Sequence, residues 1–361
     1  MMKFKRLLAL VACAVMVISL SACSSSKVSY EADDTPLADV TETESTPDLS
    51  TVTYSEIEDL VIGMAFRHGS NDTYMTSYFQ HLKNYAAELG VELILLDAVD
   101  DATKQMNQVE DLIAMNVDVL MIWPVNSACS VASAKLCYDA GIKALFCNSN
   151  CAESGKEYTV GFAGPDDYTE GYNCGVMAME TLGEDAEGAQ VLFVEGVSGQ
   201  QQAIDRRDGF YAAVEEYGGV IVDSQSSEGT REKATQVVEN WLIKYAEGEI
   251  DVIAAFDDNT AVGIYNAAVE KGRYGEFLIY GVATGDYEII SNYIQTGLMD
   301  GASLQSPITE SETALQWAIY IALGGEIPLN EEGLHEVYID TPVITPENFD
   351  EVDQGNFEDL I

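Results

Sequence analysis

Eight short apolar runs recur along the chain at a near-constant interval, and this constrains the fold more than any other feature. They are DLVIGMAF (59–66), VELILLD (91–97), DVLMIW (118–123), IKALFC (142–147), AQVLFVEG (189–196), GVIVDS (219–224), DVIAAF (251–256) and FLIYGV (277–282). Each is nearly continuous in hydrophobicity, as a parallel strand covered on both faces must be. The stretches between them are helical in pattern: within 75–90, Tyr78, Leu82, Tyr85 and Leu89 recur at i, i+4, i+7 and i+11, and Gly90 supplies a C-cap. A repeat of roughly 25–32 residues is the length of a βα unit, so the chain reads as α/β with parallel sheets. Four units precede residue 150 and four follow residue 185, with an interruption at VGFAGPDDYTEG (160–171). Two similar doubly wound halves facing across a cleft are expected, with ligand contacts just after each strand.

The first 23 residues, MMKFKRLLALVACAVMVISLSAC, set Lys3, Lys5 and Arg6 before an apolar run and close on Leu20-Ser21-Ala22-Cys23. A charged start, a short apolar core and small residues at the cut describe a secretory signal over residues 1–22, not a membrane span. The last four residues resemble the lipobox of bacterial lipoproteins, which implies a lipid on Cys23; the alternative is an ordinary secreted protein cut near Ala22. Residues 23–55 are rich in Ser, Thr, Asp and Glu with few large apolar side chains, and read as a disordered tether. The formal charge of −44 becomes −47 when the three cations of residues 1–22 are removed. So acidic a chain argues against nucleic acid or an anionic lipid surface as partner.

Enzyme chemistry finds little support. The three histidines, His68, His81 and His335, show no metal-ligand spacing. Nucleophile-elbow, dinucleotide and P-loop glycine patterns are missing. Once Cys13 and Cys23 are set aside, Cys129, Cys137, Cys147, Cys151 and Cys174 remain, an odd number that leaves at least one free thiol. Cys129 and Cys137 read as buried helix residues, and the pairing of Cys147 with Cys151 is left open. No metal, no cofactor and no catalysis are expected.

Two further segments carry a resemblance: QQQAIDRRDGF (200–210), with Arg206 four residues before Phe210, and SLQSP (303–307), a Gln-x-Pro crossing. With the order of strands and helices, they make residues 56–345 similar to the ribose type of periplasmic binding protein that serves ABC importers. The resemblance implies a type I fold of two doubly wound parallel-sheet lobes joined by a three-segment hinge, with 56–163 plus 307–333 in lobe 1 and 164–306 plus 334–361 in lobe 2. It also implies a cleft that closes on its ligand.

Carried over residue by residue, the resemblance assigns ligand contacts to Arg67, Asp72, Tyr74, Trp123, Asn148, Ser149, Arg206, Asp257 and Gln305, with Met75, Asn126, Asp258 and Asp286 as further candidates. Bland readings stand beside several of these. Arg67 can pair with a carboxylate, Asp72 can cap a helix, Tyr74 can be core, Trp123 can pack on Pro124, and Asp258 can point away or cap. Asn148-Ser149 replaces the family's charged Asp-Arg pair, and Ala283 stands where an aspartate is usual, with Asp286 arriving three residues late. The implied protein is a monomeric, lipid-anchored solute binder on the extracytoplasmic face that delivers a monosaccharide or sugar derivative to an ABC permease. Alternatives are a sensor-coupled binder and a binder of a carboxylated sugar, nucleoside or signal molecule, the acidic ligand being suggested by Arg67 with Arg206.

Overall fold

A computed structural model describes residues 36, 37, 40, 43–69 and 73–349; the signal segment, Cys23 and Asp72 lie outside the described residues. The first lobe begins with α1 (Tyr54–Ile57), β1 (Val61–Phe66), α2 (Thr73–Leu89), β2 (Glu92–Asp97), α3 (Ala102–Ala114), β3 (Val119–Trp123), α4 (Ser127–Ala140), β4 (Lys143–Cys147) and β5 (Gly161–Pro165). The chain then crosses to α5 (Asp167–Leu182), β6 (Gln190–Glu195), α6 (Gln201–Glu216), β7 (Val220–Ser226), α7 (Arg231–Lys244), β8 (Val252–Ala255), α8 (Asp258–Lys271), β9 (Leu278–Thr284), α9 (Tyr287–Ile289) and β10 (Gly301–Leu304). It returns for α10 (Pro307–Ala322) and β11 (Glu336–Ile339), then crosses a last time to β12 (Val343–Ile344).

The two six-stranded sheets run β2-β1-β3-β4-β5-β11 and β7-β6-β8-β9-β10-β12, the same winding order twice. Every pairing is parallel except β10 with β12. The eight apolar runs became β1–β4 and β6–β9. Helices cover both faces, so the inner strands are buried along their length, as β3 is at all five positions. In α2, Tyr78, Leu82, Tyr85 and Leu89 are all buried, and Gly90 takes the left-handed φ of 77° that ends the helix.

The structure corrects two boundaries. Residues 334–361 were expected in the second lobe, yet β11 pairs in parallel with β5 (Glu336 with Phe162 through Ile339 with Pro165) and so extends the first sheet. The third crossing therefore falls between Ile339 and Val343. The strand went unread because its polar members are satisfied within the first lobe, where Glu336 accepts from Asn150 and pairs with Lys156 at 2.8 Å. Residues 23–55 were expected to be tether throughout, but 43–57 are docked on the first lobe. Leu49 and Ile57 are fully buried there, the Trp317 indole donates to the Ser45 carbonyl at 2.7 Å, and the Ser45 hydroxyl donates to the Tyr338 carbonyl at 2.7 Å. A few apolar side chains suffice because they enter a core that α2 and α10 have already built.

Two glycines set the helix pair that carries the second lobe's key cation. A Cβ on Gly171 of α5 would lie 2.0 Å from the Arg206 carbonyl oxygen, and one on Gly209 of α6 would lie 2.0 Å from that of Tyr168. Backbone therefore meets backbone, and the first turn of α5 is pressed against Arg206. All five described cysteines are reduced and buried, which leaves Cys147 and Cys151 unpaired with each other.

Candidate functional site

The C-terminal ends of the strands of both lobes enclose a cavity of about 350 Å³, within the range of small-ligand sites. The first lobe contributes Arg67, Tyr74, Met75, Trp123 and Asn148; the second contributes Gln202, Arg206, Phe256, Asp257, Asp258 and Asp286, and Gln305 enters from the crossing. Ten of the expected contacts thus meet at one place. Asp72 lies outside the described residues.

Two expected contacts are not brought to the cavity. Asn126 is the N-cap of α4 and accepts from the Cys129 backbone N–H at 2.9 Å, so its side chain is spent on the helix start. Ser149 is buried behind the wall, its N–H donating to the Cys147 carbonyl at 2.7 Å. The cause is Asn148, which adopts a left-handed φ of 60°, a conformation asparagine tolerates better than most residues. That turn aims residue 148 into the cleft and carries residue 149 away from it.

The arginines are engaged. Arg206 donates from Nε to Asp167 at 2.8 Å and to Glu170 at 3.1 Å, and from a terminal nitrogen to the Gln305 oxygen at 2.9 Å; its guanidinium also lies 5.0 Å from the Phe256 ring centroid. Both carboxyls and the guanidinium are buried. Desolvation raises the proton affinity of Asp167 and Glu170, and the single positive charge between them only partly opposes this. Arg67 pairs with Asp100 at 3.0 Å and reaches Gln200 of the second lobe at 3.4 Å.

Tyr74 stands edge-on to Trp123, with centroids 6.5 Å apart, and Trp123 is backed by Phe79. The indole is therefore both core and cavity edge. Its strand end is tied down by Gln105, a fully buried side chain that donates to the Ala65 and Trp123 carbonyls and accepts from the Val125 N–H. On the opposite wall, Asp257 caps α8 by accepting from the Thr260 N–H, and Asp286 caps α9. Asp258 accepts from the Thr284 hydroxyl at 2.7 Å. Burial first, and then its neighbours Asp257 and Asp286, push the Asp258 carboxyl up.

The lobes touch. Gln200 donates to the Val125 carbonyl at 3.1 Å, the Ser127 hydroxyl to the Gly199 carbonyl at 3.0 Å, and Gln202 to the Asn148 oxygen at 3.3 Å. This is a closed cleft. Gln202, Phe256 and Glu310 are site residues that the sequence reading did not single out. Gln202 and Phe256 lay in segments already flagged, whereas Glu310, buried beneath the cavity, carried no signal beyond its place three residues into α10.

Comparisons agree with this geometry. Residues 62–326 match the family model described as a periplasmic binding protein domain. The ribose import binding protein of Bacillus subtilis is 28% identical over 203 residues, 56% of this chain and 64% of that protein's length. The xylitol-binding protein of Mycolicibacterium smegmatis is 26% identical over 284 residues, 77% of this chain and 75% of that one. Among solved structures, an ABC transporter solute binding protein from Bacillus halodurans with bound myo-inositol superposes with a TM-score of 0.71 at 26% identity, covering 81% of this chain and 96% of that one. Among the described residues, no cluster of three or more metal-ligating side chains occurs and no helix is long and apolar enough to cross a membrane. With a family model covering most of its length and two lobes closed on a strand-end cavity, the chain belongs to the periplasmic binding protein family, a family of binding proteins.

Proposed function

We propose that this protein is the solute-binding component of an ABC importer and takes a neutral polyol, a monosaccharide or its alditol or cyclitol relative, into the inter-lobe cleft. The observation that carries the reading is the closed cavity itself, whose walls combine aromatic faces with amide and carboxylate groups from both lobes. Hydroxyl-rich ligands need that mixture: stacking for their C–H faces, and fixed donors and acceptors for each O–H. Bonds from both lobes exist together only when the cleft is shut, so ligand shifts the population toward the closed form. The names of its relatives, which include ribose, xylitol and myo-inositol binders, point the same way.

The two arginines that suggested an acidic ligand are already paired. Arg206 already faces Asp167 and Glu170, and Arg67 faces Asp100, so neither cation has charge to spare for a carboxylate. Delivery to a membrane permease, with Cys23 as lipid anchor on the extracytoplasmic face, completes the reading. It is tested by a thermal-shift screen of a chain lacking residues 1–35 against pentoses, hexoses, alditols, inositols and uronic acids. A ligand at about 100 times its dissociation constant adds roughly 2.7 kcal/mol. Stabilisation by a uronic acid but by no neutral polyol would refute the assignment, and product formation from a bound ligand would refute the binding role.

A further inference from the structure

Beneath the cavity, one carboxylate oxygen organises three of the side chains that line it. Glu310 Oε2 accepts from the Tyr74 hydroxyl, from the Asn148 amide at 3.2 Å and from the Gln305 amide at 2.8 Å. Glu310 is fully buried and does not itself reach the cavity. Its three donors come from separate elements: the start of α2, the turn after β4, and the second crossing.

A carboxylate only accepts, so it selects the nitrogen end of both amides. Their oxygens are thereby turned toward the second lobe, where Gln202 donates to Asn148 at 3.3 Å and Arg206 donates to Gln305 at 2.9 Å. For Gln305 the orientation is forced from both sides, because a guanidinium only donates. Resting on the proposed polyol-binding role, we infer that Glu310 is a positioning residue that sets the amide orientations of Asn148 and Gln305, and with them the acceptors offered to the second lobe and its ligand on closure.

The ionisation of Glu310 gives this a measurable signature. Burial raises its carboxyl to about 6, against the lowering effect of its bonds from Tyr74, Gln305 and Asn148. The titratable and charged groups around it are Tyr74 and Tyr78 of α2, Cys147 of β4, Asp167 and Glu170 of α5, and Arg206 of α6. Among the described residues its second oxygen, Oε1, has no hydrogen-bond partner, so a proton taken up there leaves Oε2 in place as a weaker acceptor. Glu310→Gln copies that protonated form.

The experiment uses the chain lacking residues 1–35 and two readouts between about pH 5 and about pH 7.5. For any neutral polyol the wild type binds, affinity should fall as the pH drops through the Glu310 range. Glu310→Gln should bind about tenfold more weakly at the upper pH and lose the part of that dependence that Glu310 supplies, leaving the part due to Asp167, Glu170 and Asp258. Without ligand, the wild type should show a tyrosine near-UV difference spectrum between the two pH values that is absent in both Glu310→Gln and Tyr74→Phe. If no polyol binds, the ligand reading fails and the spectra still decide the role of Glu310. An unchanged pH dependence of binding in Glu310→Gln, or a difference spectrum that persists in either variant, overturns the inference.

Discussion

Tyr74 of the first lobe and Gly285 of the second meet across the cleft so closely that a Cβ on Gly285 would lie 2.3 Å from the tyrosine ring and 2.5 Å from the Gln305 carbonyl oxygen. Closure therefore depends on the absence of a side chain at 285. Gly285→Ala is expected to hold the lobes apart and weaken polyol binding by at least about tenfold, and also to lower the thermal midpoint, because the Gln305 carbonyl stays beside residue 285 whether the cleft is open or shut. Small-angle scattering checks it: the wild type compacts on ligand addition and the variant does not.

Arg206 is the charge on which two buried carboxylates depend. Arg206→Met should cost about 3–5 kcal/mol at neutral pH, because Asp167 and Glu170 are left without a counter-charge. Protonation relieves that strain, so the loss should shrink toward pH ~5. Urea unfolding at two pH values measures the difference, and an equal loss at both would contradict the electrostatic account.

Burial raises six described carboxyls, those of Asp167, Glu170, Asp205, Asp258, Asp300 and Glu310, above their unfolded values. Groups raised in this way add stability below their unfolded pKa and lose it as pH climbs through the folded value. The protein should accordingly be more stable near pH ~5 than near pH ~8, with Glu310 alone contributing on the order of 1 kcal/mol to the change. Asp258→Asn should flatten the profile. Calorimetric midpoints across that range give the answer; a midpoint that rises with pH would refute the assignment.

Burial also raises every described thiol, Cys151 to about 11 and Cys137 to about 12. With the thiolate scarce and access closed, a thiol reagent should label none of the five in the native chain lacking residues 1–35, and all five after denaturation. Mass spectrometry counts the adducts.

The segment before α1 is structural. Leu49→Ala should cost about 2–5 kcal/mol, as expected for a fully buried leucine. Removal of residues through 57 should lower the thermal midpoint much further. Neither change would matter for a free tether, so an unchanged midpoint would restore that reading.

The lobes were legible because parallel strands covered on both faces must be continuously apolar, and eight such runs announce themselves. Strands β5, β10, β11 and β12 did not, since GFAGP, GASL, EVYI and VI are short, glycine-bearing or polar at alternate positions. At the site, the rule that ligands meet strand ends led to Trp123, Asn148 and Asp257, which line the cavity. It overreached at Ser149, where one left-handed residue reversed the side-chain direction, and at Asn126, where a helix start claimed the amide. Glu310 was illegible for a different reason. It sits in a helix buried on most sides, where Ser311, Thr313 and Gln316 are equally polar and equally inside, and its partners Tyr74 and Asn148 are 236 and 162 residues away in sequence.

The docking of residues 43–57 has a mechanical consequence. Among the described residues, the contacts that tie Ser45 and Leu49 to the body of the protein are made to the first lobe, through Trp317, Tyr338 and the α2–α10 core. Any load carried along the upstream chain is thus delivered to that half alone. With the first lobe held in this way as the stator, the proposed closure on ligand is a swing of the second lobe about its three crossings.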